Sequence, residues 1–297
     1  MDGAEIEGGR WHHPVLLRES LEYLAIRPDG VYVDMTAGLG GHAGAIADRL
    51  VGGFVIACDR DAESLELARA NTARAGQRIR FYRGPFSKLP DALAASGIVA
   101  VDGVLADLGV SRYQLSSAER GFSLMEDGPL DMRMDRSQDL TAADLVNHLP
   151  EKALADLIYQ LGEERRSRRI SRAIVRARPI LTTRRLAQVV EEAAPRTGRI
   201  HPATQTFMAL RLKVNGELEE LEEMLGVVPE HLKAGGRFVV LTFMSTEDRI
   251  VKRAFQGLAK SGRAKILTKH VVRPTEEEVV RNPASRSAKL RALERIG

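Results

Sequence analysis

Short apolar runs alternate with segments of helical periodicity over the first 112 residues of the chain. Four of the apolar runs carry β-branched or aromatic side chains and are bounded by glycine, proline or acidic residues, which is typical of buried strands. These runs are residues 31–34, 54–59, 79–82 and 101–107. Apolar residues recur at helical spacing in residues 18–24, 42–50 and 62–75. The alternation predicts an α/β domain with a mainly parallel sheet.

The pattern changes after residue 112. A loop-like segment rich in Met, Gly and charged residues, 119–135, precedes four segments with apolar residues at positions i, i+3 and i+4. These predicted helices are residues 142–147, 151–161, 167–177 and 184–194. We therefore predict an all-helical insertion over residues 113–204, between a first part of the core, 1–112, and a second part, 205–297.

The second part of the core returns to the α/β pattern. A long helix with an acidic outer face is predicted at 215–232, and a fifth strand at 237–243. A further helix at 246–261 precedes two short apolar segments, 264–268 and 287–293, which are expected to close the sheet as a pair of strands.

A glycine-rich turn follows the first predicted strand, which ends at Asp34. The residues of this turn and of the helix start behind it are Gly38, Gly40, Gly41 and His42. Glycine lets the backbone of such a turn come close to a ligand. The second strand ends at Asp59, 21 residues after Gly38, where a carboxylate can accept hydrogen bonds from both hydroxyls of a ribose. The turn and the two acids predict a nucleoside-cofactor site.

Two cofactor classes fit this turn. Residues 38–43 match the G-x-G-x-x-A pattern of dinucleotide-binding turns, which keeps a nicotinamide cofactor open. Asp34, however, brings negative charge close to the ligand, which favours the ammonium group of an amino acid and disfavours a pyrophosphate. The turn also holds no basic residue. These features favour S-adenosylmethionine.

A third acid, Asp107, ends the fourth predicted strand. Ligands of doubly wound sheets bind outside the carboxyl ends of the strands, beside the first strand. We therefore expect Asp34, Asp59 and Asp107 to share one site. Phe86 lies in the turn after the third strand, where it is expected to cover an adenine ring.

The overall charge is nearly balanced, with 44 Lys and Arg against 40 Asp and Glu, so net charge alone does not indicate a nucleic-acid binder. Residues 165–185, in contrast, hold nine arginines and no acid. Arginines at this density can neutralise phosphate charges, and each guanidinium can bind two phosphate oxygens in a bidentate manner. The predicted RNA-binding residues are Arg165, Arg166, Arg168 and Arg169. The alternative is a solvated helix face whose ion pairs use neighbouring acids: Glu163, Glu164, Glu191 and Glu192.

Cys58 is the only cysteine, which excludes an internal disulfide and favours a reducing, cytoplasmic environment. The acidic N-terminus lacks the apolar segment of a secretory signal, and no apolar run approaches the roughly 18 residues that span a bilayer. We find no His and Cys spacing typical of a metal site, and we expect no metal.

Strings distributed along the chain closely resemble the RsmH (MraW) family of ribosomal RNA methyltransferases. They are His12-His-Pro-Val-Leu-Leu17, Gly40-Gly-His42, Asp59-Arg-Asp61, Gly84-Pro-Phe86, Asp107-Leu-Gly-Val-Ser111, Ala118-Glu-Arg-Gly-Phe-Ser123, Gly128-Pro-Leu-Asp-Met-Arg-Met134, Gly162-Glu-Glu164, His201-Pro-Ala-Thr204, Glu247-Asp-Arg-Ile-Val-Lys252 and Arg286-Ser-Ala-Lys-Leu-Arg291. The resemblance covers nearly the whole chain, and the string from Gly128 to Met134 is highly specific.

The resemblance implies a Rossmann-like, seven-stranded methyltransferase sheet with a helical insertion. It implies transfer of a methyl group from S-adenosylmethionine to N4 of a cytidine in the decoding region of 16S ribosomal RNA, within the small subunit or its precursor. Residues implied to line the cofactor pocket are Gly40, Gly41, His42, Asp59, Phe86, Asp107 and Gln114. For His42 the family pattern makes the backbone, more than the imidazole, the expected contact. The oligomeric state, including a homodimer, is left open.

Three positions depart from the family pattern. Met244 stands where the family commonly has His, and Gln205 and Met208 stand where Arg and Gln are usual. If the replaced side chains contact RNA in relatives, RNA affinity is expected to differ here.

Asp107 and the loop 108–111 are the candidates for holding the reacting amino nitrogen, by their position after the fourth strand. Three rival functions stay open from the sequence: a nicotinamide-dependent oxidoreductase, an RNA-binding assembly factor with a non-catalytic cofactor pocket, and a methyltransferase acting on amino groups of DNA. A methyl-transfer assay on small-subunit RNA and on DNA discriminates among them.

Overall fold

In the computed structural model, which describes residues 14–196, 198 and 200–297, a seven-stranded sheet forms the centre of the molecule. The strands are β1 (Val31–Asp34), β2 (Phe54–Asp59), β3 (Ile79–Arg83), β4 (Val101–Asp107), β5 (Leu232–Thr242), β6 (Ala264–Ile266) and β7 (Lys289–Arg295). Their order across the sheet is β3-β2-β1-β4-β5-β7-β6, with only β7 running antiparallel to its neighbours. The seven-stranded Rossmann-like sheet is confirmed.

Thirteen α-helices are present in the described residues. They are α1 (Leu17–Leu24), α2 (Gly41–Ala47), α3 (Ala62–Asn71), α4 (Leu89–Ala95), α5 (Arg112–Ser116), α6 (Ala142–His148), α7 (Glu151–Gly162), α8 (Ser167–Ala177), α9 (Thr183–Ala193), α10 (Thr204–Asn215), α11 (Glu217–Val227), α12 (Ser245–Lys260) and α13 (Glu276–Arg281). None of the helices in the described part of the chain has the length and apolarity needed to cross a membrane.

Alternating side chains of the strands fill two cores, one on each face of the sheet. On β1, Val33 belongs to the core covered by α4, α11 and α12, whereas Tyr32 belongs to the core covered by α1, α2 and α3. Both side chains are almost completely buried. Because successive residues of a strand point to opposite faces, one apolar run supplies both cores. Helices thus cover both faces and leave the strand ends free for a site.

Helices α6 to α10 pack around a third core. It includes Leu130 and Met132 from the irregular segment before α6, Ile158 from α7 and Phe207 from α10. Helix α10 approaches α7 closely at Gly162, where a β-carbon would lie 2.4 Å from the carbonyl oxygen of Gln205. A side chain at Gly162 would therefore separate the two helices.

The segment 118–136, which we call the strap, connects the sheet to these helices. It is irregular but closely hydrogen-bonded. The amide of Leu130 donates to the carbonyl of Leu181 (2.9 Å), and the amide of Met132 donates to the carbonyl of Arg120 (3.1 Å). Asn215 at the end of α10 accepts from the amide of Met134 (2.7 Å) and donates to the carbonyl of Met132 (2.8 Å). The strap thus has a defined path.

The predicted strands and the longer predicted helices are confirmed, with shifted ends. The segment predicted as one helix at 62–75 leaves the α-helix at Asn71 and continues as a 3₁₀ turn. The helix predicted from residue 215 begins at Glu217, after Gly216 at φ 57° ends α10. Helices α4, α5, α10 and α13 were not predicted. Helices α4, α5 and α13 have only five to seven residues, and α10 is buried on most sides, so none of the four shows a clear amphipathic period. His12 and His13 lie outside the described residues.

Candidate functional site

Strands β1 and β4 end side by side, and a threonine links their terminal acids. The amide and hydroxyl of Thr36 both donate to Oδ1 of Asp34, at 3.1 and 3.3 Å. The Thr36 hydroxyl in turn accepts from the amide of Asp107 at 2.7 Å. These bonds place the two carboxyl groups at one edge of the sheet.

Asp59, at the end of β2, holds the turn that follows β1. Its Oδ2 accepts from the amide of Gly38 and its Oδ1 accepts from the amide of Asp61, both at 2.9 Å. Each carboxylate oxygen has a second lone pair. Asp59 therefore shapes the turn and retains acceptor capacity toward a ligand.

The glycines of this turn serve different purposes. Gly38 has φ 51°, and a β-carbon there would meet only ordinary contacts, the nearest at 3.8 Å, so this residue needs glycine for its backbone conformation. At Gly40 a β-carbon would lie 2.7 Å from Cγ2 of Thr72, and at Gly41 it would lie 2.5 Å from Cγ of Pro14. Gly40 also has φ 87°, so it needs glycine for its backbone conformation and for its packing, whereas Gly41 needs glycine for its packing.

Burial raises the pKa of all three acids, and the charge of a neighbouring acid adds to the shift at Asp34 and at Asp107. Burial raises the pKa of Asp34 to about 7, with a further contribution from the charge of Asp59. Burial raises the pKa of Asp59 to about 6. Burial, together with the charge of Asp34, raises the pKa of Asp107 to about 8. The structure thus brings the three predicted acids into one site.

Two oxygen atoms of this site are buried without a hydrogen-bond partner in the described residues, Oδ2 of Asp34 and Oδ1 of Asp107. A buried carboxylate oxygen without a donor is costly unless a ligand supplies one. Raised pKa values and free acceptors are the properties expected of a site that receives a cationic or hydrogen-donating group.

His42 lies beside Asp107, and Phe86 lies in the turn that follows β3. The buried imidazole of His42 places Nε2 3.2 Å from the carbonyl oxygen of Val15 and Nδ1 3.7 Å from Oδ2 of Asp107. Its side chain therefore faces the site, which the sequence did not predict. Phe86 is half-buried in a 3₁₀ turn after β3 and packs against the core of the sheet.

Gln114 joins the loop after β4 to the loop after β2. Its Nε2 donates to Oδ2 of Asp61 at 2.7 Å, and its Oε1 accepts from the amide of Ser111 at 2.9 Å. The second bond is part of a capping box at the start of α5. Both ends of this buried carboxamide are engaged, so Gln114 orients the loop that follows Asp107.

Arg120 of the strap is buried between the same two regions. It forms ion pairs with Asp61 at 2.8 Å and Glu63 at 3.0 Å, and its side chain is only 2% exposed. Its Nη2 also donates to the carbonyls of Arg133 (2.9 Å) and Met134 (3.0 Å). Arg120 thereby ties the strap to the start of α3, directly after the Asp59 loop. Sequence reasoning missed this role, although the motif strings contain both Asp61 and Arg120.

An apolar cavity of about 360 Å³ lies between the loop after β4, the strap and α10. Its lining includes Val110, Leu124, Met132, Phe207, Met208 and Arg211. Val110 is three residues after Asp107 in the chain, so the cavity adjoins the acidic edge of the sheet.

The four predicted RNA-binding arginines fall into two groups. Arg166 is held by Glu164, with Nε at 3.2 Å from Oε1, and donates to the carbonyl of Pro195 at 3.1 Å. Arg165, Arg168 and Arg169 are exposed, and their side chains form no ion pair within the described residues. Of the four acids that the alternative invokes, only Glu164 pairs with an arginine of this run.

The three departures from the family pattern lie around α10. Met208 lines the cavity. Met244 precedes α12 and places Sδ 3.9 Å from Nη2 of Arg211. Gln205 lies in the first turn of α10, with its carbonyl against Gly162. Within the described ranges, no three His, Cys, Asp or Glu side chains are grouped closely enough to hold a metal ion.

Comparison with known proteins gives a consistent result. Residues 10–296 match the model of the MraW methylase family. The chain is 63% identical over 283 residues to ribosomal RNA small subunit methyltransferase H of Solibacter usitatus (strain Ellin6076), covering 95% of this chain and 99% of that protein. It is 50% identical over 296 residues to the protein of the same name from Koribacter versatilis (strain Ellin345), covering 96% of this chain and 94% of that protein.

Proposed function

Since the chain belongs to the MraW methylase family, we propose that it transfers a methyl group from S-adenosylmethionine to N4 of a cytidine in 16S ribosomal RNA. The observation that carries the proposal is the pair of buried, unpartnered oxygens of Asp34 and Asp107 beside an apolar cavity. A cationic methyl donor and a flat nucleobase are the two ligands that such a combination suits.

The printed names of the two relatives support ribosomal RNA of the small subunit as the substrate class. The finer assignment, N4 of a cytidine in the decoding region, comes from the resemblance of the motif strings. We propose 16S ribosomal RNA, in the small subunit or its precursor, as the partner. The cytoplasmic location expected from the sequence, and a homodimer, stay predictions.

The acids and the glycine turn are proposed to hold S-adenosylmethionine, which supplies an electrophilic methyl group on a sulfonium. Asp34 is placed to bind the ammonium end, and Asp59 to accept from the ribose hydroxyls. Phe86 is placed to cover the adenine. The remaining proposed members of the pocket are Gly38, Gly40, Gly41, His42, Asp107 and Gln114.

Asp107 is proposed as the catalytic residue. The exocyclic nitrogen of cytosine is a poor nucleophile because its lone pair is delocalised into the ring. A carboxylate that accepts a hydrogen bond from that amino group orients it and takes the proton that it loses once the N–C bond has formed. A pKa of about 8 in the ligand-free protein lies near the neutral range, where a general base is most effective. Holding the reacting atoms about 3 to 3.5 Å apart contributes roughly 7 to 11 kcal/mol.

Transfer of a tritiated methyl group to small-subunit RNA tests the proposal, followed by mass spectrometry of the digested RNA to locate the modified base. We expect labelled N4-methylcytidine. Label on DNA alone would support the DNA methyltransferase, and tight cofactor binding without transfer would support the assembly factor. Membership of the methylase family excludes the nicotinamide-dependent oxidoreductase.

The helical insertion, 113–204, is proposed to recognise the RNA through its arginine run. Glu163, at the end of α7, accepts from the hydroxyl of Thr246 in the first turn of α12 at 3.2 Å. Helix α12 begins directly after β5. The arginine-rich segment that follows Glu163 therefore begins near the edge of the sheet where the strands end.

Replacing Arg165, Arg168 and Arg169 together by alanine is expected to weaken RNA binding and to flatten its dependence on salt. Each lost contact with a single-stranded phosphate reduces the slope of log K against log salt by about 0.7, so the triple variant is expected to lose about 2. Filter binding over a salt series measures this slope. Arg166→Ala is the matched control, because Glu164 and Pro195 already engage that side chain. An unchanged slope in the triple variant would assign these arginines to the solvated helix face.

The free energy of unfolding of the ligand-free protein is expected to fall as the pH rises from about 5 to about 8. Burial raises the pKa of Asp34 to about 7 and that of Asp107 to about 8, whereas an unfolded aspartate titrates near 3.9. The folded state therefore holds protons that the unfolded state has already released, and rising pH favours unfolding until both side chains are ionised. Urea unfolding across this range measures the effect.

Asp107→Asn serves as the control for this pH dependence. Asparagine does not titrate, so the fall is expected to be smaller and to end near pH 7, because Asp34 and Asp59, with pKa values of about 7 and about 6, are the remaining groups. An identical profile in the variant would mean that Asp107 is already ionised in the folded protein.

A further inference from the structure

We infer that Arg211 is a specificity-determining residue that reads the carbonyl edge of the target cytosine in the cavity between the strap and α10. The inference rests on the proposed function and deepens it, because it assigns a base-binding site and a residue that distinguishes cytosine from uracil.

The guanidinium of Arg211 is held rigidly at the wall of this cavity. Its Nε and Nη2 donate to the two carboxylate oxygens of Glu217, at 2.8 and 3.1 Å, and its side chain is 14% exposed. Nη2 also faces Sδ of Met244 at 3.9 Å. Burial lowers the pKa of Arg211, but the carboxylates of Glu217 and Glu247 more than offset this, so the group stays charged.

The third nitrogen of the group, Nη1, forms no hydrogen bond to any described residue. The cavity around it is otherwise lined mainly by apolar side chains, among them Val110, Leu124 and Phe207. Nη1 is not among the buried atoms that lack a partner, so it is accessible and can donate to a ligand that brings an acceptor. The site therefore favours a flat apolar ring with acceptor atoms on one edge.

Cytosine has this chemistry. Its O2 and N3 are both acceptors, whereas N3 of uracil carries a hydrogen and would oppose the N–H groups of Arg211. A phosphate is a poorer match, because the lining offers it a single cation and only two hydroxyl donors, those of Ser123 and Thr204, among mainly apolar side chains. We therefore assign the cavity to the base and the exposed arginines of α8 to the backbone.

Asp107 and Arg211 share a charged neighbour, Glu247. Both groups lie near Glu247, whose charge raises the pKa of Asp107 and stabilises the charged form of Arg211. Glu247 itself accepts from the amides of Phe243 and Met244, at 3.1 and 3.0 Å, which fixes it at the end of β5. In this assignment the amino group of the ring is held by Asp107 and its carbonyl edge by Arg211.

The test is the double variant Arg211→Met/Glu217→Gln, which removes both charges so that no unpaired carboxylate of Glu217 is left buried. The matched control is Arg291→Met/Asp248→Asn. That pair is also bidentate, at 2.7 and 3.1 Å, with side chains 13% and 17% exposed, but it does not line the cavity. The readouts are kcat/KM on small-subunit RNA, calorimetric affinity for S-adenosylmethionine, and inhibition by RNA carrying cytidine or uridine at the target position.

For the Arg211 variant we expect kcat/KM to fall at least about tenfold. The preference of the unaltered protein for cytidine-containing over uridine-containing RNA is expected to disappear, because one specific contact between a side chain and a base edge contributes discrimination of this order. Cofactor affinity is expected to stay within about threefold. The control is expected to keep the preference. Preference retained by the Arg211 variant, or lost equally by the control, would overturn the inference.

A second variant, Met208→Trp, fills the cavity without disturbing the ion pair. We expect RNA methylation to be lost and cofactor affinity to be kept; methylation at the unaltered rate would overturn the inference. Failure of the unaltered protein to methylate any small-subunit RNA would instead overturn the proposed function, and with it this inference. The two failures are therefore distinguishable.

Discussion

Replacing Asp107 by alanine is expected to lower kcat/KM for methyl transfer by about 10² to 10⁴, the usual contribution of a positioned general base. The fold is expected to survive, because Oδ1 of Asp107 has no hydrogen-bond partner among the described residues and Oδ2 lies 3.7 Å from Nδ1 of His42. At pH 8 the variant is expected to be at least as stable as the unaltered protein, since it no longer has to keep a buried carboxyl group beside Asp34. Single-turnover transfer and urea unfolding measure the two quantities.

Asp102, in the same strand, provides the matched control. Its side chain is 3% exposed and forms ion pairs with Lys233, at 2.9 Å, and with Arg27. Burial raises the pKa of Asp102, but a hydrogen bond from the amide of Val31 and the charges of Lys233 and Arg27 more than offset this, so the pKa is lowered. Asp102→Ala is therefore expected to reduce stability and to leave the folded fraction active. Transfer at the unaltered rate by Asp107→Ala would remove Asp107 from the mechanism.

Replacing Arg120 by methionine is expected to lower the free energy of unfolding by about 3 to 5 kcal/mol, because it leaves Asp61 buried without its cation. The carbonyls of Arg133 and Met134 also lose their donor. We expect the strap to exchange its amide hydrogens faster and transfer to RNA to fall. Urea unfolding and hydrogen exchange of residues 118–136 measure these effects.

Arg136→Met is the control for this prediction. Arg136 contacts the same Glu63 at 3.2 Å, but its side chain is 49% exposed, and exposed pairs contribute about 0 to 1 kcal/mol. The two side chains share Glu63 as a partner, so the comparison isolates the buried contacts of Arg120 with Asp61 and with the carbonyls of Arg133 and Met134. Equal losses of stability in both would contradict the view that the buried contacts of Arg120 hold the strap.

The strands and their terminal acids are predictable from local pattern. An apolar run such as residues 101–107 has little alternative to a buried strand, and an acid at its end marks the edge of the sheet where parallel strands meet. For this reason Asp34, Asp59 and Asp107 were identified correctly as neighbours. Their individual roles toward a cofactor and a base stay predictions.

Contacts between residues far apart in the chain were not predictable in the same way. Arg120 and Glu63 are 57 residues apart in the chain, and Asn215 and Met132 are 83 apart. Nothing in the local pattern distinguishes Arg120 from the many exposed arginines, because burial and pairing depend on which segments fold together. The same reason applies to Arg211, which stands in an ordinary helical segment until the strap closes a cavity beside it.

The chain by itself determined the order of its elements, the acids at the strand ends and the resemblance to one family, because these depend on residues close in sequence or on motif strings. Only the tertiary structure decided that Arg166 is engaged while its exposed neighbours are not, that Gly40 and Gly41 are needed for packing, and that one arginine faces an apolar cavity. Each of these depends on contacts between distant segments, and such contacts exist only when the packed chain has excluded water from between them.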